Sequence, residues 1–404
     1  MSPVVERFLR YVKIDTQSSE TSGTHPSTQK QKNLAHLLFT ELRKMGIQDV
    51  TFDEECGYVY AHLPASDGYT GREGTLLFMS HMDTAPSASG TDVKPVIHEN
   101  YDGGVLTLNG GTVLNPEQFT SLKKYVGQTI ITSDGTTLLG ADDKAGVAEI
   151  MQMVEELVKH PEKVHRPLSI CFTPDEEIGE GTECISLEKL AADFGYTVDG
   201  DELGSLEYEN FNAASAEVTV HGRLVHPGSA KGIMVNACRI AFEFEQLLPA
   251  YQKPEFTDGY EGFFYLDQIS GDTEEAHLSY IIRDHDRNLF EQKKALMQSV
   301  AAFLNQKYGD GTFEVECKNQ YFNMKEKLEN AMFLVDDAKE AFRKAGVEPN
   351  VQPIRGGTDG AMLSYMGIPC PNLSTGGQNF HGRYEFVVAE SMEKMVEVLL
   401  TLSE

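Results

Sequence analysis

The stretch Thr75-Leu-Leu-Phe-Met-Ser-His-Met-Asp-Thr84 predicts a buried strand that ends in two polar side chains, His81 and Asp83. Side chains alternate along a strand, so these two point to the same face. Imidazole is the commonest protein ligand of a metal ion, and a ligating histidine usually donates its second ring N–H to a carboxylate. Alone, the pair equally fits a strand end with two solvated polar groups, so its meaning depends on the rest of the chain.

The composition excludes several classes of protein. The 404 residues are 40% hydrophobic and 24% charged, which is typical of a globular chain of about two domains. Lys and Arg number 34 and Asp and Glu 62, and the net charge of −28 would repel phosphate backbones and anionic lipid surfaces. We therefore expect neither a nucleic-acid partner nor a membrane surface as partner.

The cysteines and the apolar runs bear on the compartment. Six cysteines are dispersed without a Cys-x-x-Cys pair, which favours reduced thiols over a disulfide framework. The first residues lack the apolar run of a signal peptide, and no segment is long enough to span a membrane. A cytoplasmic location is the resulting expectation.

Strands alternate with helices over the first half of the chain. Residues 3–13 and 28–45 have helical apolar spacing, and short apolar runs such as Val50–Phe52 and Leu168–Thr173 predict strands. Residues 85–137, rich in Gly, Asn, Asp and Pro, predict irregular hairpins. The alternation indicates an α/β layered sheet.

The pattern changes after Asn210. Strands are predicted at 214–222, 262–269, 276–284 and 312–318, and helices at 234–248 and 288–308. That β-α-β-β-α-β order is the split ferredoxin-like unit. We therefore expect an inserted α+β domain at 212–324, within a domain made of 1–211 and 325–404. The latter resumes with a helix at 325–345, a Gly-rich loop at 355–360, a strand at 371–373 and a helix at 389–402.

A second polar motif, Gly140-Ala-Asp-Asp-Lys-Ala-Gly146, opens a predicted helix. Asp142 there fits an N-cap, for which aspartate is a preferred residue. It also fits a bridging carboxylate whose two oxygens reach two cations. Capping needs only one acid, and adjacent aspartates without a metal repel each other.

A third motif, Asp175-Glu-Glu177, follows the predicted strand Leu168–Thr173 directly. Three acids at the end of an apolar strand fit a solvated loop, or a site where a cation compensates their charge. In the second interpretation one glutamate binds metal. The other stays unligated and accepts a proton from metal-bound water, whose pKa falls to about 7.

Two further polar residues complete a candidate site. Asp199 ends the predicted strand Tyr196-Thr-Val-Asp199, and His381 lies in a Gly-bounded loop. Each alone fits an ordinary surface or core residue. Ligands bind in the crevice outside strand ends of an α/β layer, and the mixture of nitrogen and oxygen donors suits zinc, with cobalt or manganese as substitutes. The candidate ligands are His81, Asp142, Glu177, Asp199 and His381.

The ordered set of motifs resembles the co-catalytic metallopeptidases of the M20 family, and within it the tripeptide aminopeptidases. The resemblance runs over nearly the whole chain. It is carried by Ser80-His-Met-Asp-Thr84, Gly140-Ala-Asp-Asp-Lys-Ala-Gly146, Phe172-Thr-Pro-Asp-Glu-Glu-Ile-Gly179, Tyr196-Thr-Val-Asp-Gly200, Glu209-Asn-Phe-Asn-Ala213, His226-Pro-Gly-Ser-Ala-Lys-Gly232, Arg355-Gly-Gly-Thr-Asp-Gly360 and Asn379-Phe-His-Gly382. It implies a zinc-peptidase-like catalytic domain with a mixed central sheet flanked by helices, and an inserted ferredoxin-like lid.

The resemblance also implies residue roles. Two zinc ions per subunit would be held, one by His81, Asp142 and Asp199, the other by Asp142, Glu177 and His381. Asp83 would orient His81, and Glu176 would be the general base for the bridging water. In the inserted domain His226 would stabilise the oxyanion and Arg283 would bind the peptide carboxylate, with Asn236 and Arg355 as further cleft residues. From the residues alone, Arg283 equally fits a surface strand position paired with Asp284 or Asp286, and His226 a turn.

The expected function is removal of the N-terminal residue from tripeptides. A dipeptidase or an N-acyl-amino-acid hydrolase with the same site is the nearest alternative, because the ligands alone do not separate these substrates. A non-catalytic metal-binding scaffold is a different class, but it would need neither Glu176 nor Asp83. The partners expected are small peptides, and a homodimer formed through an edge of the inserted sheet is left open.

Overall fold

The computed structural model describes all 404 residues. The chain divides into two compact units, one made of Met1–Tyr208, Glu326–Gln352 and Thr358–Glu404, the other of Glu209–Lys325 and Pro353–Gly357. The predicted boundaries left 353–357 with the first unit. This segment packs with the second unit because Arg355 donates hydrogen bonds to backbone oxygens of Thr257, Gly259 and Glu261.

Ten α-helices lie along the chain. They are α1 (Pro3–Tyr11), α2 (Gln31–Met45), α3 (Ala141–Lys159), α4 (Leu187–Leu190), α5 (Ala237–Leu247), α6 (Arg287–Tyr308), α7 (Lys325–Leu328), α8 (Phe333–Lys344), α9 (Asp359–Met366) and α10 (Ala389–Ser403).

Eighteen strands accompany them. They are β1 (Asp49–Phe52), β2 (Val59–Leu63), β3 (Leu76–His81), β4 (Val96–His98), β5 (Leu106–Thr107), β6 (Val113–Leu114), β7 (Ile130–Thr132), β8 (Leu168–Thr173), β9 (Phe194–Gly200), β10 (Ser205–Glu207), β11 (Asn212–His221), β12 (Phe263–Gly271), β13 (Glu275–Asp284), β14 (Phe313–Tyr321), β15 (Asn350–Val351), β16 (Asn372–Ser374), β17 (Gly377–Gln378) and β18 (Phe386–Val388).

The first unit is built on an eight-stranded mixed sheet in the order β1-β2-β8-β3-β9-β16-β10-β15. Its centre is parallel, since β3 pairs in parallel with both β8 and β9, and β9 with β16. Every residue of β3 and β8 is buried, as strands covered on both faces require. The carboxyl ends of β8, β3 and β9 therefore meet at one edge of the sheet.

Helix α3 packs closely against strands β3 and β9. A Cβ on Gly146 would come within 2.0 Å of the carbonyl oxygen of Val198 and 2.6 Å of the Ser80 hydroxyl. Only glycine allows this approach, which brings the start of α3 beside the ends of the two strands.

A smaller sheet of the same unit has the order β17-β18-β7-β4, and β5 and β6 form a separate hairpin. The prediction of irregular hairpins over 85–137 agrees with these short strands. The connection between β17 and β18 carries His381.

The second unit has the predicted β-α-β-β-α-β order, with the sheet order β12-β13-β11-β14. Its core is formed by the inward-facing residues of the strands and the apolar faces of α5 and α6, among them Val218, Phe244, Tyr280 and Met297. The α/β class, the mixed central sheet and the inserted α+β domain are thus confirmed.

Two helix predictions differ from the structure. The single helix predicted over 325–345 is interrupted by a 3-10 turn at Glu329–Ala331, between α7 and α8. The Gly-rich loop predicted at 355–360 ends in helix α9, which Thr358 begins by accepting the N–H of Gly360. No helix has both the length and the apolar character needed to cross a membrane.

Candidate metal centre

One carboxylate lies between two histidines. Oδ1 of Asp142 is 2.9 Å from Nε2 of His81, and Oδ2 is 3.0 Å from Nε2 of His381. Nε2 of His381 also lies 2.9 Å from Oε2 of Glu177, and Nε2 of His81 lies 3.3 Å from Oδ1 of Asp199. The five candidate ligands from the sequence therefore converge, although they come from five separate segments.

The sheet and helix α3 supply these positions. His81 is the last residue of β3, Asp199 lies near the end of β9, and Glu177 lies in a 3-10 turn that follows β8. Asp142 stands at the start of α3, which Gly146 brings close to the strand ends. Because three neighbouring strands end at the same edge, residues far apart in the chain come within a side chain's reach.

Asp143 performs the capping that was one interpretation of Asp142. Both aspartates have non-helical dihedral angles, and Oδ1 of Asp143 accepts the N–H of Gly146, three residues on. Its Oδ2 accepts the N–H of His81. The carboxylate of Asp142 makes no capping bond and stays available to the histidines.

Asp83 is fully buried and connects His81 to the turn after β8. Its Oδ1 lies 3.2 Å from Nδ1 of His81 and accepts the N–H of Glu176, and its Oδ2 accepts the N–H of Glu177. One carboxylate thus sets the orientation of an imidazole and the position of both glutamates.

The three acids after β8 point in different directions. Asp175 is fully buried and accepts hydrogen bonds from Ser27 and Gln31. Glu177 faces His381, yet its Oε1 is buried without a partner. The carboxylate of Glu176 forms neither a hydrogen bond nor an ion pair. The hydrogen bonds that Asp175 accepts therefore offset its repulsion with the two neighbouring glutamates. The motif predicted no separate role for Asp175.

The protonation of the cluster follows from burial and contact. Burial disfavours the protonated ring of His81, but Asp199 and Asp142 outweigh it and raise its pKa well above the ordinary value. Hydrogen bonds with Asp142 and Glu177 raise the pKa of His381 to about 11. The same closeness of nitrogen and carboxylate donors that favours the protonated imidazoles would also favour a bound cation in their place.

The carboxylates shift in both directions. Burial raises the pKa of Glu177 to about 7 and that of Asp199 to about 6. Burial also raises the pKa of Glu176 well above its ordinary value, and the charge of Asp199 adds to this effect. Burial acts the same way on Asp142, but hydrogen bonds with His381 and His81 hold its pKa below the ordinary value.

Four predicted residues lie in the second unit, and two of them already have structural contacts. Both terminal nitrogens of Arg355 donate to Thr257 and to the carbonyls of Gly259 and Glu261. Asn236 caps α5 by accepting the N–H of Arg239. These contacts favour structural roles for both.

The other two keep groups available for a ligand. Nδ1 of the exposed His226 accepts the N–H of Gly228, which leaves Nε2 as the N–H donor of a neutral ring. Arg283 is half-buried and donates to the carbonyls of Ala214 and Ile282, and its guanidinium also contacts Tyr321 through its ring and a side-chain hydrogen bond. Neither carboxylate offered as its partner is used, since Asp284 pairs with Lys293 and Asp286 caps α6.

Two further buried acids, for which no role was predicted, lie beside the cluster. Asp359 lies 3.1 Å from the hydroxyl of Thr173, and burial raises its pKa to about 7. Glu385 accepts three backbone N–H groups from the turn that carries Asp142. Both acids make hydrogen bonds with residues far away in the chain, so no local sequence pattern predicts these contacts.

Curated relatives cover the whole chain. It is 53% identical to peptidase T of Alkaliphilus oremlandii, over 100% of this chain and 99% of that protein. It is 52% identical to peptidase T of Geobacillus thermodenitrificans, over 99% and 97%. The chain belongs to the peptidase T family of M20 peptidases. Residues 208–312 of the chain match the model of a peptidase dimerisation domain of the M20 peptidases.

Solved structures share the fold of this peptidase T family member. The aminopeptidase PepT of Bacillus cereus and a tripeptidase of Staphylococcus aureus each align over 99% of this chain and 97% of their own, with TM-scores of 0.78 at 24% and 23% identity. A dinuclear metal-binding M20 peptidase of Bacillus subtilis aligns over 99% and 96%, with a TM-score of 0.67 at 12% identity.

Proposed function

We propose that this chain is a metal-dependent aminopeptidase that releases the N-terminal residue of tripeptides. The proposal is supported by full-length relatives named peptidase T at 53% identity. The single observation that carries the chemistry is the carboxylate of Asp142, each of whose oxygens faces a different histidine.

The donor set fits a pair of zinc ions. His81, Asp142 and Asp199 would hold one ion, and Asp142, Glu177 and His381 the other. Zinc–ligand bonds of 2.0–2.1 Å in a tetrahedron separate neighbouring ligand atoms by about 3.3 Å. The histidine nitrogens lie 2.9 to 3.3 Å from the carboxylate oxygens that face them. The buried Oε1 of Glu177 has no hydrogen-bond partner, and a cation could take that place. When bound, the ions would polarise the scissile carbonyl and acidify water.

Glu176 is proposed as the general base. Its carboxylate is unpartnered and its raised pKa suits a group that takes up a proton during the reaction. It accepts the proton of the attacking water and passes it to the leaving nitrogen. Asp83 acts as a positioning residue, because it contacts His81 and the backbone N–H of Glu176.

His226 and Arg283 are proposed to bind the substrate. The tautomer of His226 presents an Nε2–H donor, which suits a developing oxyanion. The guanidinium of Arg283 has no acidic partner of its own, and its fork matches a peptide's terminal carboxylate. In this proposal, both the free amine and the terminal carboxylate of the peptide are recognised, and this gives a preference for one peptide length.

Peptide length is the decisive test. Di-, tri- and tetrapeptides with one common N-terminal residue, assayed before and after chelation, should show metal-dependent hydrolysis that is fastest for the tripeptide. Arg283→Leu should raise KM for the tripeptide and reduce the preference for that length, since the guanidinium proposed to pair with the peptide's terminal carboxylate is lost. Equal rates on all three lengths would contradict a length preference. Activity only on a dipeptide or an N-acyl amino acid would favour the alternative substrates.

The assembly and the compartment are also proposals. The match of residues 208–312 to a peptidase dimerisation domain supports a homodimer. Light scattering of the purified chain should give twice the monomer mass of 44.8 kDa. Two zinc ions as the metals used, and cytoplasmic residence, follow from the sequence arguments and would be tested by metal analysis and fractionation of cells.

A further inference from the structure

Glu385 is a buried acid that none of the proposed catalytic steps uses. It is 1% exposed and stands directly before β18, at the end of the connection that carries His381. Its Oε2 accepts the N–H groups of Leu139 and Gly140 at 2.7 and 2.9 Å, and its Oε1 accepts the N–H of Asp142 at 3.1 Å. All of its contacts as an acceptor go to one turn.

That turn needs an acceptor to hold its shape. Gly140 is in the left-handed region at φ 83°, and Asp142 has a ψ of 105°, so neither continues the helix that follows. The N–H groups at the start of a helix have no partner within it. A single carboxylate with both oxygens engaged accepts the N–H of Asp142 in the first turn of the helix and those of Leu139 and Gly140 just before it, and no side chain of the turn itself does so.

The same carboxylate joins two of the segments that meet at the metal centre. Glu385 belongs to the connection that carries His381, and the N–H of Glu385 returns to the carbonyl of Gly382. The turn it binds carries Asp142, whose Oδ2 lies 3.0 Å from Nε2 of His381. The contact between Asp142 and His381 therefore depends on how the backbones of these two segments are held relative to each other.

We propose that Glu385 is a positioning residue for the bridging carboxylate. It fixes the backbone of residues 139–142 so that the two oxygens of Asp142 face His81 and His381 at once. This inference rests on the proposed function, in which Asp142 is shared by two ions. Because Asp142 would be common to both ions, loss of Glu385 weakens the binding of both together.

Glu385→Gln is the sharpest variant, because it keeps the side-chain volume. Its amide oxygen can still accept the N–H groups of Leu139 and Gly140, but its NH2 group then faces the N–H of Asp142. Glu385→Ala removes all three acceptor contacts. Glu207→Gln is the matched control, since Glu207 is also buried, accepts from Asn372 and Gln352, and touches no part of the turn.

The readouts are Zn²⁺ affinity by competition with a chelator, the absorption spectrum of bound Co²⁺, and urea unfolding of the metal-free full-length chain. Partners that orient metal ligands typically contribute about 10- to 100-fold to affinity. We expect Glu385→Gln to weaken both Zn²⁺ ions within that range and to shift the Co²⁺ bands, and Glu385→Ala to weaken them more. Glu207→Gln should stay within about twofold of the parent.

The outcomes separate this inference from the proposed function. If the parent binds two Zn²⁺ ions and Glu385→Gln binds both as tightly, or loses only one, the positioning role is wrong. If the parent binds no Zn²⁺, or Asp142→Ala binds two, the proposed function itself fails. Should Glu385→Ala not fold in the metal-free state, Glu385→Gln alone carries the test.

Discussion

At the scale of single residues, the site separates acids that contact a histidine from an acid that contacts nothing. Asp142, Asp199 and Glu177 each lie within 3.3 Å of an imidazole nitrogen. The carboxylate of Glu176 has no such partner, although its backbone N–H is held by Asp83. A base must be free to gain and lose a proton, so this difference supports the roles proposed for the two adjacent glutamates.

Glu176→Gln should lower kcat without releasing metal. The amide cannot accept the water's proton, and removing a general base typically costs about 100- to 10,000-fold. Metal content and kcat for the tripeptide would be measured on the same preparation. Glu188→Gln, an exposed position on α4, is the control and should match the parent. A Glu176→Gln enzyme as fast as the parent would remove Glu176 from the mechanism.

At the scale of elements, the parallel centre of the sheet does most of the positioning. The ends of β3, β8 and β9 present His81, the turn with the glutamates, and Asp199 along one edge. Helix α3 adds Asp142 because Gly146 permits close contact with β3 and β9. In the second unit, by contrast, side chains of helix termini are occupied in capping, as Asn236 and Asp286 illustrate.

Asn236→Ala tests whether Asn236 is a cap or a substrate contact. Loss of an N-cap costs about 0.5–2 kcal/mol, so the variant should unfold at lower urea concentration while KM for the tripeptide stays unchanged. Asp286→Ala, which removes the cap of α6, is the matched control. It should also unfold at lower urea concentration and leave KM for the tripeptide unchanged. A rise in KM for Asn236→Ala alone would restore Asn236 as a binding residue.

At the scale of the whole molecule, we expect the buried acids to make stability depend on pH and on bound metal. Burial raises the pKa of Glu177 and of Asp359 to about 7. Between the ordinary pKa of a carboxyl and 7, the metal-free folded chain therefore holds more protons than the unfolded chain. Its free energy of unfolding falls as pH rises through that interval.

The expected result is a urea midpoint of the chelator-treated protein that decreases from pH 5 to pH 7. The metal-loaded protein should show a smaller decrease and a higher midpoint at pH 7, because a ligand that binds only the folded state stabilises it. Circular dichroism at pH 5, 6 and 7 measures both series. A midpoint that rises with pH in the metal-free protein would contradict the burial argument.

The net charge of −28 is also a property of the whole molecule. Like charges repel one another, so this charge acts on the surface of the chain as a whole. Only a few of the 62 acidic residues lie at the centre, so composition alone says little about the site. What identifies the site is the order of the motifs along the chain.

Much of this protein was determined by the sequence. Apolar periodicity predicted the layered sheet and the inserted β-α-β-β-α-β unit, because burial imposes a period of two on strands and about 3.6 on helices. Apolar runs that end in polar residues placed the strand ends, and with them the segments that carry His81, Glu177 and Asp199. The prediction was wrong where local and tertiary preferences differ, as in the continuous helix over 325–345 and the unpredicted α9.

Only the tertiary structure determined which of two neighbouring acids faces a histidine and which makes a structural contact. Asp143 caps α3 while Asp142 faces the histidines, and Asp175 turns to Ser27 while Glu177 faces His381. Glu385 meets the turn at 139–142 across more than 240 residues of chain. Contacts of this kind depend on which backbone N–H groups the fold leaves without a partner, and that is settled only when the distant segments pack together.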